Sequence, residues 1–501
     1  MRFQVYRNGQ SVEKFLVSGA YMFGTDGTSM RRVKIRFADG MLICEKPNSD
    51  TAGVALLWSI EGFGRILLST TCLPERERPY CLNIEIARAR LMQTISRRED
   101  WSLFESSDEM EEVSRQAHSL FVQAIQHGQD YPQASALADR SLRKAMVFSE
   151  KLALRQAETL FKNRRKNKGF ARGCIGCRVD LARIGEEAYV DSIAKLANIA
   201  VVPVDWPSVE PEKGEFRFDA IDRCVEALNN KHLMVGMGPL LRFAQESLPD
   251  WLLQGDTSFE KVRETAYRFI TEVATRYRRK VHRWFVIDGI NAHNCLAFSV
   301  EQILEMTRAA NMAVKAVNSR AFKIVEVTNL WGEYYGTTPN TVAPVGYLDM
   351  VVQSGIPCEG FALKMRFGKN ESGMHVRDMM QISSLIDYYS LLGKPLFLTG
   401  VEIPSQDGEG PFDGRIAGVW HRNWDQTRQA LWMEQFFGIT LGRPNVESIV
   451  YGNLADGDHS VIANSGLTDQ DLTPKESYRI LQRLRDTIQG PKPDVRGKTE
   501  V

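Results

Sequence analysis

The sequence lacks several features that would assign it to a particular class of protein. No run approaches the roughly 20 uncharged apolar residues that a membrane-spanning helix needs, so no membrane association is expected. Neither sign of charge is in excess, because 63 Lys and Arg face 62 Asp and Glu, and this balance argues against nucleic-acid binding. Eight cysteines in 501 residues are too few for a disulfide scaffold. What remains is a globular chain with ordinary hydrophobic (43%) and charged (25%) fractions.

Motifs for metal, redox or nucleophilic chemistry are also missing. Cys174 and Cys177 form a lone CxxC pair, with no second pair and no histidine at zinc spacing, so we interpret them as buried thiols. The chain has no GxSxG nucleophile elbow. A ligand set of His293, Asp288 and Glu402 is the alternative, but no HxxE or HxH spacing supports it. We therefore predict no metal and no cofactor.

The opening segment MRFQVYRNGQSVEKF contains no apolar h-region of a secretory signal. Together with the low cysteine usage, it predicts a cytoplasmic protein in a reducing compartment. Export by a route without a readable signal is the alternative expectation.

The first third of the chain changes texture from strand to helix. Short alternating or apolar runs separated by glycine-containing turns predict a β-sandwich over residues 1–105, which we interpret as similar to a carbohydrate-binding module. Residues 106–168 are rich in helix formers and predict a helical connector. The basic run KNRRKNK at 162–168 is interpreted as a solvated linker.

From residue 169 onward, short apolar runs alternate with amphipathic helices. About eight such units in roughly 320 residues are typical of a (β/α)8 TIM barrel, predicted here over 169–490 and followed by a flexible tail at 491–501. A doubly wound sheet is the alternative, but no glycine-rich phosphate turn follows an early strand. The predicted strands are 174–180, 199–204, 233–241, 284–287, 322–327, 360–365, 395–401 and 448–451.

Five segments of this region, in order, resemble the barrel of family 10 glycoside hydrolases, the endo-1,4-β-xylanases. VDWPSVEPEKGEFRF at 204–218 resembles the stretch after the second barrel strand, and LPDW at 248–251 the segment after the third. VHRWFVIDGIN at 281–291 resembles the strand-four segment "W.VVNE". Residues 355–366 and 451–478 resemble the strand-six segment and the ending of the family.

The resemblance implies that both catalytic glutamates are replaced. Retaining glycosidases use an acid/base and a nucleophilic carboxylate about 5–5.5 Å apart. The acid/base position of the family falls on Gly289, directly after Asp288, and the nucleophile position falls on Gly400, two residues before Glu402. Asp288 and Glu402 are therefore the candidate catalytic pair, and a wider carboxyl separation would favour inversion through water. Asp288 faces the site only if its strand end bulges.

Residues at the carboxyl ends of barrel strands are the candidates for substrate binding. The resemblance implies that sugar-contacting positions have changed as well, since Asp205, Lys364, Arg366 and Tyr451 replace Lys, Gln, His and Trp of the family. The candidate substrate-binding residues are Asp205, Trp206, Arg242, Asn291, Glu326, Lys364, Arg366 and Tyr451. Further candidates at the mouth are His293, His421, Trp331, Tyr334, Trp420 and Trp424.

Two functions remain open at this point. The first is a divergent glycoside hydrolase that acts on β-linked, xylan-type poly- or oligosaccharides through a non-standard carboxylate pair. The alternative is a non-catalytic carbohydrate binder on the same barrel, which needs only the groove, its aromatic side chains and a few polar groups. A purely structural interpretation of Asp288 and Glu402 is that they pair with Arg242, Arg366 or Lys364 in an ion-pair network at the rim. Carbohydrate is the expected partner in both cases.

Overall fold

Two regions make up the fold, an N-terminal region of small sheets and helices and a C-terminal barrel. The structure is a computed structural model that describes residues 1–101, 107–167, 169–457 and 460–489. The predicted tail at 491–501 lies outside these residues.

The N-terminal strands form a four-stranded sheet, most of a second one and a small two-stranded sheet. The larger sheets have the orders β5-β6-β1-β9 and β18-β8-β7-β4, in which the edge strand β18 (Val419–Trp420) comes from the C-terminal region. Tight hairpins connect β5 to β6 and β7 to β8, as the glycine-containing turns predict. The strands are β1 Arg2–Gln4, β2 Tyr6–Arg7, β3 Gln10–Ser11, β4 Tyr21–Phe23, β5 Lys34–Ala38, β6 Met41–Glu45, β7 Gly53–Ile60, β8 Gly64–Ser69 and β9 Tyr80–Cys81. That this region binds carbohydrate stays a prediction.

Three long helices follow, and they begin earlier than the sequence pattern predicts. α1 spans Leu82–Asp100, where the sequence predicts the end of the β region. α2 spans Asp108–Gln126 and α3 spans Tyr131–Lys166, in agreement with the predicted helical connector. The solvated-linker interpretation of 162–168 is wrong for its first five residues, because they belong to α3 and Arg164 is buried.

The C-terminal region is the predicted eight-stranded parallel barrel. The strand order β12-β11-β10-β19-β17-β16-β15-β14 closes through pairing of β12 with β14. Strand interiors are almost continuously buried because helices cover them outside and side chains fill the barrel inside. The barrel strands are β10 Ile175–Arg178, β11 Ile199–Val202, β12 Met234–Met237, β14 Arg283–Asp288, β15 Lys323–Val327, β16 Gly360–Arg366, β17 Leu396–Glu402 and β19 Val446–Tyr451; the short β13 Leu241–Arg242 pairs with β14.

The helices of the barrel have the caps that their sequences predict. α9 begins with a capping box in which Ser299 and Gln302 exchange hydrogen bonds between side chain and backbone. The helices are α4 Glu187–Leu196, α5 Trp206–Val209, α6 Asp219–Asn230, α7 Asp250–Leu253, α8 Phe259–Tyr277, α9 Val300–Val317, α10 Pro344–Gln353, α11 Met379–Ser390, α12 Gly414–Ala417, α13 Gln426–Leu441 and α14 Glu476–Gln489. None of the helices in the described ranges is long and apolar enough to span a membrane.

Extensive contacts join the two regions. β18 (Val419–Trp420) leaves the barrel after β17 and pairs antiparallel with β8 of the N-terminal region. Arg90 of α1 forms a buried ion pair with Asp378, which also caps α11. A sheet and a buried ion pair therefore span the junction, and the N-terminal region is not tethered only by a linker.

Candidate functional site

A cavity of about 1360 Å³ opens at the carboxyl ends of the barrel strands. This is the end at which barrels of this kind carry their sites. Charged side chains from several different strands and loops line it: Arg178, Asp180, Arg183, Glu186, Asp205, Arg242, Glu246, Asp288, Lys364, Arg366, Lys369, Glu371, Glu402 and Asp456. Both predicted catalytic carboxylates are among them.

Asp288, the last residue of β14, faces the cavity because its strand is irregular. The pairing of β14 with β15 shifts register between Phe285 and Ile287, which turns the end of the strand. Lys364 Nζ lies 2.5 Å from Asp288 Oδ2 and 3.6 Å from Glu326 Oε2. Glu326 also accepts a hydrogen bond from the Thr399 hydroxyl. A single ammonium group on β16 therefore bridges carboxylates from β14 and β15.

Glu402, at the end of β17, is held in a second ion pair. Arg366 Nε donates to Glu402 Oε1 over 3.0 Å, and the Ile462 backbone N–H donates to Glu402 Oε2 over 3.1 Å. Glu402 and Asp288 are each only 2% exposed. Both predicted catalytic carboxylates are thus buried against a cation.

The electrostatics of these groups differ although they are neighbours. Burial alone would raise the pKa of Asp288, but the charges of Lys364 and Arg242 outweigh it and bring the pKa to about 2. The pKa of Glu326 is raised, first by burial and then by the charge of Asp288, against the opposing effect of Lys364. The pKa of His293 is lowered, chiefly by burial and then by Arg242. The cavity therefore keeps Asp288 ionised and resists a second negative charge on Glu326.

Glycines occupy the two positions that the sequence resemblance matches to the family glutamates. Gly289 and Gly400 have φ values of +60° and +53°, a left-handed conformation that residues with a Cβ rarely adopt. A Cβ on Gly289 would lie 2.8 Å from Thr328 Cγ2. A Cβ on Gly400 would lie 3.2 Å from Lys364 Cγ and 3.5 Å from an Arg366 guanidinium nitrogen. The backbone and the neighbouring cations are both adapted to glycine here.

Arg178 is a residue of the cavity that sequence reasoning missed. It is the last residue of β10, and among the described residues no hydrogen bond or ion pair reaches its guanidinium. The signal available in the sequence was its place, a basic residue at the carboxyl end of the first barrel strand. Its pKa is lowered, first by burial and then by the charge of Arg366. Arg178 therefore extends the cationic side of the cavity.

Two predicted binding residues, Asn291 and Tyr451, lie outside the described cavity lining, and Trp206 belongs to the lining but is almost fully buried. Asn291 is fully buried and donates to the Tyr334 hydroxyl over 2.6 Å, and Tyr451 is fully buried with its hydroxyl donating to the Ser465 carbonyl. Trp206 is 2% exposed and stacks on Phe269 at 4.6 Å. These three are packing residues, so the expectation that they present sugar-contacting faces is not supported by their burial.

The remaining predicted positions divide between the cavity and the junction of the two regions. Asp205 lines the cavity and caps α5 by accepting from the Ser208 backbone N–H over 3.1 Å. Arg242 lines it too, 3.9 Å from Asp288 Oδ2, as do His293 and Tyr334. His421 instead bonds to Glu150 and Gly62 at the junction, and the described cavity lining does not include it. The described cavity lining does not include Trp331, Trp420 or Trp424 either.

The described part of the chain contains no set of side chains that could hold a metal ion. No group of three or more His, Cys, Asp or Glu side chains gathers there at metal-binding distances. All eight cysteines are free thiols, and Cys174 and Cys177 are buried. Burial raises the pKa of Cys177 to about 12, which makes this thiol unreactive.

Known proteins share the barrel. Xylanase 10B of Thermotoga maritima superposes with a TM-score of 0.50 at 17% identity, over 66% of this chain and 99% of that one. Xylanase 10B of Thermotoga petrophila, solved with xylobiose, gives the same TM-score and identity over 66% and 98%. A family 10 protein of Paenibacillus barcinonensis gives 0.50 at 15% identity over 64% and 97%. The sequence model of glycosyl hydrolase family 10 matches residues 170–483, more than half of the chain. The chain therefore belongs to glycosyl hydrolase family 10.

Proposed function

We propose that this protein binds β-linked, xylan-type saccharides at the mouth of its barrel without hydrolysing them by the double displacement of retaining glycosidases. The ligand class follows from the family and from the xylanases that share the fold. The observation that carries the non-hydrolytic part is the engagement of both carboxylates: Asp288 by Lys364 at 2.5 Å and Glu402 by Arg366 at 3.0 Å.

Engaged carboxylates are poor substitutes for the two groups that the mechanism requires. A general acid must carry a proton near neutral pH, which requires a raised pKa. The pKa of Asp288 is instead lowered to about 2 by Lys364 and Arg242, so this group is ionised and cannot protonate a leaving oxygen. Glu402 is anchored by Arg366 and the Ile462 backbone, so it is not free to attack an anomeric carbon.

The cations around Gly400 oppose the transition state as well. Glycoside hydrolysis passes through an oxocarbenium-like state that carries positive charge on the sugar ring. The position matched to the nucleophile is bordered by Lys364 and Arg366, where an active site needs negative charge. Both cations hold the neighbouring carboxylates in ion pairs, so less negative charge is left to stabilise the ring and the barrier for the reaction is raised.

A second candidate is an inverting hydrolase that uses Asp288 and Glu402. The observation in its favour is Asp288 Oδ1, which is buried, belongs to a cavity residue and has no hydrogen-bond partner in the described structure. An ionised carboxylate with a free oxygen is what a general base needs to activate water. The same oxygen serves equally well as an acceptor for a sugar hydroxyl in a binding protein.

The test combines binding with turnover. Calorimetric titration with xylotetraose and cellotetraose is run on the full chain, alongside long incubations assayed for new reducing ends. We expect binding of at least one oligosaccharide and no release of reducing ends. Absence of binding to both, and to the acidic disaccharide cellobiouronic acid, would contradict the proposal.

Three variants separate the two candidates. Turnover by the parent that Asp288→Asn and Glu402→Gln both abolish would establish the inverting hydrolase instead. Gly400→Glu restores a carboxylate at the nucleophile position, yet we expect no turnover, because the φ of +53° and the adjacent Lys364 and Arg366 misplace and neutralise it. Thermal unfolding of each variant confirms that it is folded under the assay conditions.

A further inference from the structure

The floor of the cavity holds cationic and anionic groups that lack partners. Of the guanidinium nitrogens of Arg366, only Nε has a hydrogen-bond partner among the described residues, namely Glu402. All three guanidinium nitrogens of Arg178 are without one, and none of them is enclosed by protein atoms. Two arginines from strands on different sides of the barrel therefore direct unused N–H groups into the same cavity.

The charges of Glu326, Asp288 and Glu402 attract Arg178 at longer range, but none of these carboxylates forms an ion pair with it. Lys364 bridges Asp288 and Glu326, and Arg366 forms an ion pair with Glu402. Arg178 is left facing Arg366 with no ion pair of its own in the described structure, and the charge of Arg366 lowers its pKa further. The N–H groups of Arg178 are open to the cavity and have no acceptor among the described residues, so they are available to an anionic ligand.

The cavity also contains groups that need a hydrogen-bond donor or a polar partner. Asp288 Oδ1 is buried without a donor, and the hydroxyl of Ser372, which lines the same cavity, is buried without any partner in the described part of the chain. Asn329 and Asn453 add amide groups to the lining. A ligand that satisfies the site must bring hydroxyl donors for Asp288 and an oxyanion for Arg178.

We infer that the ligand is an acidic saccharide, with the carboxylate of a uronic acid residue bound between Arg178 and Arg366 and a ring hydroxyl donating to Asp288 Oδ1. This inference rests on the proposed carbohydrate-binding function and specifies its ligand. Guanidinium groups match carboxylates with paired N–H donors. A neutral sugar leaves Arg178 unpaired, and an inorganic oxyanion brings too few hydroxyl donors for the polar groups around it.

The test compares a matched pair of sugars on the full chain by calorimetry. Cellobiouronic acid and cellobiose share a β-1,4-linked disaccharide and differ by one carboxylate, and inorganic phosphate is the sugar-free anion. We expect cellobiouronic acid to bind at least roughly tenfold more tightly than either of the others, as one charge-assisted contact predicts. Phosphate binding as tight as that of the acidic sugar would overturn the saccharide part.

Variants tie the effect to Arg178. Arg178→Gln should remove the preference for cellobiouronic acid, and Arg178→Lys should retain part of it. Arg183→Gln is the matched control, because Arg183 lines the same cavity but is already paired with Glu186. A preference that survives in Arg178→Gln, or that is lost equally in Arg183→Gln, would contradict the assignment.

The outcomes also distinguish this inference from the proposed function. If xylotetraose or cellotetraose binds but the two disaccharides bind equally, the acidic-saccharide inference is wrong and carbohydrate binding stands. If no saccharide binds, the proposed function itself is wrong.

Discussion

Two arginines at opposite ends of the barrel, the buried Arg164 and the partly buried Arg178, differ in the hydrogen bonds that they make. Arg164, from the last turn of α3, donates to four backbone carbonyls, those of Gly169, Leu441, Arg443 and Val446, at 2.6–3.0 Å. Arg178, at the mouth, has no hydrogen-bond acceptor among the described residues. Burial lowers the pKa of both.

The difference separates a structural charge from a functional one. Arg164 supplies donors to carbonyls near the start of β19, at the end of the barrel where stability is determined. Arg178 is at the end where ligands bind, and its donors are unused within the chain. The same side chain therefore stabilises the fold at one end and is a source of instability at the other until a ligand binds.

The largest expected effect is the loss of stability when Arg164, at the end of the barrel opposite the mouth, is replaced. Arg164→Met removes the donor of three buried carbonyls and of the partly buried Gly169 carbonyl, and we expect the free energy of unfolding to fall by about 3 kcal/mol or more. Urea unfolding measures it. Arg165→Met, on the exposed side of the same helix turn, is the control and should change stability by less than about 0.5 kcal/mol. An equal loss of unfolding free energy in Arg164→Met and Arg165→Met would contradict the structural role of Arg164.

A smaller loss of stability is expected when Asp288, the carboxylate paired with Lys364 at the mouth, is replaced by asparagine. The pKa of Asp288 is lowered from 3.8 to about 2 by Lys364 and Arg242 against the effect of burial, so the ionised form stabilises the fold by about 2 kcal/mol. A lowered carboxyl pKa gives stability that is present above pH 4 and lost as the pH falls towards 2. The parent should therefore exceed Asp288→Asn in stability at pH 6, with the difference shrinking below pH 4 in urea unfolding.

Glu326 acts in a higher pH window and in the opposite direction. Its raised pKa gives stability that is present below the ordinary pKa of a glutamate and is lost as the pH rises through the raised one, and Asp288→Asn weakens this effect because the charge of Asp288 contributes to the shift. A difference between parent and Asp288→Asn that is constant from pH 6 to pH 2 would contradict the assigned ion pair with Lys364.

The smallest effect should have the opposite sign. Arg178→Met replaces an unpaired, partly buried guanidinium with an apolar side chain, and we expect stability without ligand to stay unchanged or to rise by up to about 1 kcal/mol. The melting temperature of the ligand-free protein measures it. A loss comparable to that of Arg164→Met would mean that Arg178 has a structural role.

The barrel could be predicted from sequence because its strands are buried on both faces. Runs such as Ile199–Val202, which is entirely apolar, and Leu396–Glu402, which begins with three apolar residues, recur between amphipathic helices. The start of α1 could not be predicted, because Leu82, Ile84 and Ile86 alternate with polar residues as in a strand. Packing of this helix against α3 decides its conformation, and local pattern carries no information on it.

The site could be predicted only in part for a related reason. The family resemblance and their places at strand ends predict Asp288, Lys364, Arg366 and Glu402 as site residues, but their pairing depends on distances between strands that are far apart in sequence. Composition alone could not show that Arg164, within a basic run, points inward while Arg165 is exposed. Whether a strand-end aromatic such as Tyr451 faces a ligand or the core depends likewise on its neighbours.

The short strand β18 has a consequence for how the chain is made. Its residues pair with β8, whose partner positions lie more than 350 residues earlier, so the N-terminal sheet keeps an open edge until most of the barrel has been synthesised. Open strand edges invite pairing with other chains, and contacts of high sequence separation form slowly. The nascent protein is therefore most vulnerable to aggregation between the folding of its first hairpins and the arrival of Val419 and Trp420, and its two regions mature together.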